Sequence, residues 1–303
     1  MPYHQSNHRN PGNPVKRCLP AALAALVCSA ALAGCGAASE AAQGSAGPDS
    51  AATTPGPART PTAPAPTATP TPLPLSLAGR TVVIDPGHNP GNFRHVREIG
   101  RKVDIGTAHK ECDTTGTATN GSGGKDAYTE AAFTLDVSHR LRKLLEARGA
   151  EVVLTHDADR PYGPCIDERA EIGNEAAADA VVSVHADGSG TGNRGFHVIV
   201  PARVKEGAAD TAPIVAPSRT LGERIVTAFA RTTGTSPANY LGGGTGLDVR
   251  ADLGGLNLST VPKVFVECGN MRDPKDAALL TSGVWRQKAA QGIADGIVTY
   301  LKG

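Results

Sequence analysis

The run Ala180-Val181-Val182-Ser183-Val184 constrains the fold more than any other feature, because its apolar residues do not alternate with polar ones. A strand with one wet face alternates, whereas a near-continuous apolar run fits a strand covered on both faces, as in a parallel sheet between helices. The surrounding chain agrees. Thr81-Val82-Val83-Ile84, closed by Asp85-Pro86-Gly87, reads as a β-branched strand ending in a turn. Glu151–Leu154, Phe196–Val200 and Lys263–Val266 read as further strands. Between Asp126 and Arg148, Phe133, Val137, Leu141, Leu144 and Leu145 recur at helical spacing, with Arg140, Arg142 and Lys143 on other faces and Gly149 as the stop. Helices are also expected at Ile166–Ala177, Ser218–Arg231, Pro274–Leu280 and Val284–Leu301. Aromatic residues make up only 4%, so Val, Leu, Ile and Ala must build the core. Strands alternating with helices predict a single α/β domain, its twisted, largely parallel sheet flanked by helices on both faces. Ligands of such open sheets bind beyond the carboxyl ends of the strands.

The ordered domain is expected over 79–303, with order beginning near Leu77. Residues 1–35 read as a targeting segment. Arg9, Lys16 and Arg17 precede an uncharged apolar stretch from Leu19 to Leu32, short for a bilayer span and suited to a signal peptide. It ends in Leu32-Ala33-Gly34-Cys35, which resembles a bacterial lipobox and implies lipidation of Cys35. An ordinary cleavage site with an incidental cysteine is the alternative, and both predict export. Residues 36–78 are rich in Ala, Thr and Pro and are expected to be a disordered, semi-rigid spacer. The expected location is the outer face of the membrane, the periplasm or the cell wall, with the membrane reached through a lipid anchor. A formal net charge of +1 gives no basic field, so nucleic acid is not an expected partner.

Candidate metal ligands stand where such a sheet would gather them. His88 follows the first strand, His185 ends the apolar run in Ser183-Val184-His185-Ala186-Asp187, and Glu130 sits in the first turn of the amphipathic helix. Two imidazoles and one carboxylate with an open position form a common catalytic zinc set. Taken singly, each has a plainer reading, as a hydrogen-bonded loop histidine or a helix-terminal acid favoured by the macrodipole. His156 and His197 are weaker rivals near strands, His95 and His109 lie in a polar loop, and His139 lies within the long helix. Glu267 ends the strand Val264-Phe265-Val266, where a carboxylate is expensive to bury without a task. Near a metal-activated water it would serve as general base.

Ile84-Asp85-Pro86-Gly87-His88, Glu130, Ser183-Val184-His185-Ala186-Asp187 and Pro262-Lys263-Val264-Phe265-Val266-Glu267, in that order, resemble the zinc-dependent N-acetylmuramoyl-L-alanine amidases of the amidase-3 type. Asn257-Leu258, Cys112, Gly163-Pro164-Cys165 and Glu267-Cys268-Gly269-Asn270-Met271 look closest to the mycobacterial branch. The resemblance implies one Zn2+ per chain held by His88, Glu130 and His185, with Glu267 as the catalytic carboxylate. It implies hydrolysis of the amide between the lactyl group of N-acetylmuramic acid and L-alanine, with peptidoglycan or muropeptides as substrate. The alternatives are a non-catalytic peptidoglycan-binding module and a metallopeptidase acting on stem peptides. A monomer is expected. Cys268 departs from the small residue many relatives have there.

Once Cys18, Cys28 and Cys35 are assigned to the N-terminal segment, Cys112, Cys165 and Cys268 remain. An odd count predicts one pair and one free thiol. Cys112 and Cys165 lie in loop-like stretches and are expected to pair, while Cys268 follows a buried strand. Residues 201–217 contain Pro213 and Pro217 and lack helical periodicity, so a loop beside the cleft is expected there rather than a lid helix. The alternative cover is the segment between His88 and Glu130, where Glu98, Asp104 and Glu111 offer carboxylates.

Overall fold

The computed structural model describes residues 76–120 and 127–303. The expected signal peptide, the lipidation at Cys35 and most of the 36–78 spacer lie outside the described residues. In chain order the elements are β1 (Thr81–Pro86), α1 (Val96–Ile99), β2 (Lys102–Asp104), β3 (His109–Glu111), α2 (Glu130–Glu146), β4 (Glu151–Leu154), α3 (Ile166–Glu175), β5 (Ala180–Asp187) and β6 (His197–Pro201). They continue with β7 (Lys205–Glu206), β8 (Ala209–Asp210), α4 (Val215–Thr233), β9 (Leu247–Arg250), α5 (Gly254–Asn257), β10 (Lys263–Asn270), α6 (Pro274–Leu280) and α7 (Gly283–Leu301).

The main sheet has the order β4-β1-β5-β10-β6-β9. β4, β1, β5 and β10 run parallel, and β6, paired with β9, runs antiparallel to β10. Because side chains alternate across a strand, register decides what each face shows. Val82, Ile84, Val182, Val184, Val264 and Val266 point to one face, where α2, α4 and α7 close the main core with Leu141, Phe229, Ile293 and others. Each such apolar side chain contributes roughly 1.5–3 kcal/mol on burial. Helix α7 packs tightly against α4 because Gly292 and Gly296 present no side chain; a Cβ on Gly296 would lie 2.6 Å from the Ile225 Cα. Val83 and Val181 point to the opposite face, where Ile172 of α3 and Val261 pack on them in a smaller cluster.

The ends of the helices follow local chemistry. α2 begins at Glu130 rather than near Asp126, because the Thr129 side chain accepts from the Ala132 N–H and caps it. α4 begins at Val215, earlier than the expected Ser218, since Pro217 falls in the first turn, where a missing N–H is harmless. Residues 201–217 are not a plain loop: they form the small β7–β8 hairpin and then enter α4. Strand β9, absent from the sequence reading, is a short edge strand with polar residues, and its pattern is too brief to register. Among the described residues no helix is long and apolar enough to cross a membrane.

Candidate metal centre and catalytic cleft

Along the second face of the sheet the register lines up polar residues. Asp85 stands beside Ser183, and His185 beside Glu267, which in turn faces His197. His88 lies just past β1 with a left-handed backbone, φ +61°, a conformation uncommon outside glycine. Gly87 before it leaves room for His185, since a Cβ there would lie 2.3 Å from the His185 Cε1. Glu130, the first residue of α2, reaches both imidazoles: its Oε2 is 3.1 Å from His88 Nε2 and its Oε1 is 2.9 Å from His185 Nδ1. The carboxylate is itself anchored, accepting from the Thr117 and Ala186 backbone N–H groups. The His185 ring stacks on Phe265, centroids 5.2 Å apart.

The ligand atoms of His88, Glu130 and His185 lie within 4.8 Å of one another. That spacing suits three donors about 2.0–2.2 Å from one ion. The electrostatics also call for a cation. Burial works against a charged His88, yet the Glu130 and Asp113 carboxylates beside it push it up to about 10. Burial likewise opposes ionised Glu130, but His88 and His185 hold it well below the usual carboxylate range. The donor set, two imidazole nitrogens and a carboxylate, fits zinc.

Glu267 lines the same cleft with Asp187, Arg250 and the three clustered residues. Its Oε2 is buried and lacks a hydrogen-bond partner. Burial, with the Glu130 and Asp187 carboxylates adding to it, raises its proton affinity well above the usual range. A cation among the three clustered residues would offset the Glu130 share of that rise. Beside the cleft opens a cavity of about 380 Å³ that shares His88, His185 and Phe265 with it and reaches Asp85 and Ser183.

Among the described residues the remaining histidines stand apart from the cluster. His156 is buried with its Nε2 on the Pro86 carbonyl, His95 packs on Tyr162, His139 pairs with Asp157, and His109 sits on the rim of the cavity. His197 is buried opposite Glu267. Cys112 and Cys165 form a disulfide with Cα atoms 4.3 Å apart, and Cys268 is a buried free thiol. Glu98, Asp104 and Glu111 stay outside the cluster, as does every carboxylate of 201–217.

Sequence reasoning missed a buried charge network beneath the site. Asp85 accepts from Arg169 (2.7 Å), Thr155 (2.7 Å), Ser183 (2.9 Å) and Lys263 (3.3 Å). Burial would raise its pKa, but Lys263 and Arg169 more than offset this and hold it far below the ordinary value. The signal was present: Arg169 falls on the stripe of α3 shared with Ala170 and Gly173, all three buried. A charge on a buried stripe demands partners.

A mostly parallel α/β sheet carrying a His–Glu–His cluster and a free carboxylate at its strand ends defines a class of metal-site hydrolases. Residues 82–299 match the family model described as N-acetylmuramoyl-L-alanine amidase, and the chain belongs to that family. It is 39% identical to the N-acetylmuramoyl-L-alanine amidase Rv3717 of Mycobacterium tuberculosis, over 75% of this chain and 89% of the relative. The crystal structure of the amidase Ami1 from Mycobacterium smegmatis is similar with a TM-score of 0.66 and 40% identity, covering 75% of this chain and 98% of that one. The apo Ami1 of Mycobacterium abscessus gives a TM-score of 0.67 and 41% identity, covering 74% of this chain and all of the other. The chain is therefore an N-acetylmuramoyl-L-alanine amidase of the mycobacterial branch.

Proposed function

We propose that this amidase is zinc-dependent, with one Zn2+ held by His88, Glu130 and His185 and with Glu267 as the catalytic carboxylate. The observation that carries the reading is the convergence of those three donors beside a buried carboxylate that has an unpartnered oxygen. When bound, zinc supplies a Lewis acid that polarises the scissile carbonyl and acidifies water. Glu267 takes a proton from the attacking water and passes it to the departing amine nitrogen of L-alanine. Thr117 and Ala186, through their N–H groups, keep Glu130 turned toward the imidazoles, and Phe265 keeps the His185 ring in plane.

The bond cleaved is the amide between the lactyl group of N-acetylmuramic acid and L-alanine in peptidoglycan. The enzyme acts as a monomer outside the cytoplasm, tethered at Cys35 and extended by the 36–78 spacer. The Cys112–Cys165 bridge suits an oxidising compartment. Mass spectrometry of digested peptidoglycan, with and without a chelator, tests the reading. Free stem peptides beginning at L-alanine, lost on chelation and restored by zinc, are expected. Cleavage within the stem would instead mark a metallopeptidase, and no cleavage a binding module.

A further inference from the structure

An imidazole that ligates a metal through Nε2 must carry its proton on Nδ1, and the partner of Nδ1 decides whether it does. His88 turns Nε2 toward Glu130. Its Nδ1 faces the Thr114 carbonyl at 3.2 Å, the Thr114 hydroxyl at 3.2 Å and the Asp113 Oδ1 at 3.4 Å. A hydroxyl can donate or accept, so it enforces nothing alone. The carbonyl only accepts and so calls for Nδ1–H, and the Asp113 carboxylate 3.4 Å away favours a proton on the same nitrogen electrostatically.

Asp113 does not hold that place unaided. Its Oδ2 accepts from Arg169 at 2.9 Å and from the Asn92 amide at 3.0 Å, and its Oδ1 accepts from the Thr114 N–H. The same Arg169 guanidinium donates to the His88 carbonyl at 3.2 Å and to the Pro86 carbonyl at 2.6 Å. Both Arg169 and Asp113 are buried. One guanidinium thus grips the backbone of His88 in its left-handed conformation and the carboxylate behind its ring. The disulfide ties Cys112, next to Asp113, to Cys165, one turn before Arg169.

We propose that Asp113 and Arg169 are positioning residues for the metal ligand His88: Arg169 orients Asp113, and Asp113 with the Thr114 carbonyl holds the imidazole in the tautomer that offers Nε2. The proposal rests on the reading of His88 as a ligand. Its plain rival is that Arg169 only neutralises buried Asp85 and Asp113 for stability.

Zinc affinity of the full chain, measured by competition with a chromophoric chelator, separates the two. Asp113→Asn turns an amide N–H toward Nδ1 and should weaken zinc by about 10–100-fold while the protein still melts cooperatively. Arg169→Lys keeps the charge but loses the fork, and should weaken zinc in the same direction. If Arg169 acts through Asp113, the double variant should lose less than the two single losses combined. Nitrogen-15 spectra of the unaltered zinc-free chain should show neutral His88 carrying its proton on Nδ1 before any metal binds. A folded Asp113→Asn with parental zinc affinity, or a His88 proton on Nε2, would overturn the proposal. If neither variant folds, the tautomer in the unaltered chain decides. An unaltered chain that binds no zinc sinks the metal reading and this proposal together. Normal binding in the unaltered chain and in both variants sinks the positioning role alone.

Discussion

The two faces of the central sheet are made from the same strands and differ in almost everything else. Val182, Val184, Val264 and Val266 look one way into a dry core of aliphatic and aromatic side chains. Ser183, His185, Lys263 and Glu267, their immediate neighbours in sequence, look the other way into charge, hydrogen bonds and a cleft. One face supplies most of the apolar burial, and the other holds groups that are costly to bury. The polar face leans on a rigid backing: His185 on β5 is fixed because Val184 and Ala186 on either side of it are packed in the core.

The largest effect is expected at Glu267. Glu267→Gln keeps shape but loses the base, so turnover on muropeptide should fall by about 10²–10⁴-fold. Thermal stability should hold or rise slightly, since a buried carboxylate with an unpartnered oxygen becomes neutral. Normal turnover would place Glu267 outside the chemistry. The complementary cut on the apolar face is Phe229→Ala, which removes a fully buried ring packed on Phe196 and Trp285. Denaturant unfolding should show a loss of about 3–5 kcal/mol, with zinc affinity of the still-folded protein unchanged. A loss of affinity matching the loss of stability would show that the faces are not separable.

Acid probes the polar face alone. Asp85 and Asp113 have folded pKa values below the ordinary 3.8, Asp113 at about 2. Depressed carboxylates contribute stability that is complete above the unfolded pKa and lost as pH falls through the folded one. On the acid side melting temperature should therefore drop between roughly pH 4 and 2, with Asp113 accounting for on the order of 2 kcal/mol of that loss. A flat profile to pH 2 would mean these groups are not ion-paired. The smallest effect is expected where the faces meet. Thr129→Ala removes the cap of α2, a helix whose inner side is core and whose first residue is Glu130. It should cost about 1 kcal/mol and weaken metal binding modestly, a difference readable by the same melts and chelator competition.

Much of this division was legible in the sequence. The apolar run at 180–184 and the spacing of Phe133, Val137 and Leu141 carry the parallel sheet and its covering helix, because burial on that face depends on pattern alone. The cluster of His88, Glu130 and His185 was legible because His88 follows a strand, Glu130 begins a helix and His185 ends an apolar run. What stayed hidden depends on three-dimensional register. Asp113 lies in irregular chain whose position is set by partners far away, and Lys263, read only as the first residue of a strand, has a neighbour in Asp85 that the sequence does not show. β9 escaped because four residues at a sheet edge carry too little periodicity to stand out.

The Asp85 network has a consequence for how the chain folds as well as how it stands. Arg169 arrives from 84 residues along the chain and Lys263 from 178. A sheet with β1 and β5 joined but either cation missing would bury a carboxylate short of compensation, a penalty of several kcal/mol per uncompensated ion. Half-built forms are thereby raised in energy relative to both the open chain and the finished domain. Once all are present the charges compensate one another, and they deplete the intermediates between. The domain should accordingly unfold as one cooperative unit, with β10 unable to peel away while the rest persists.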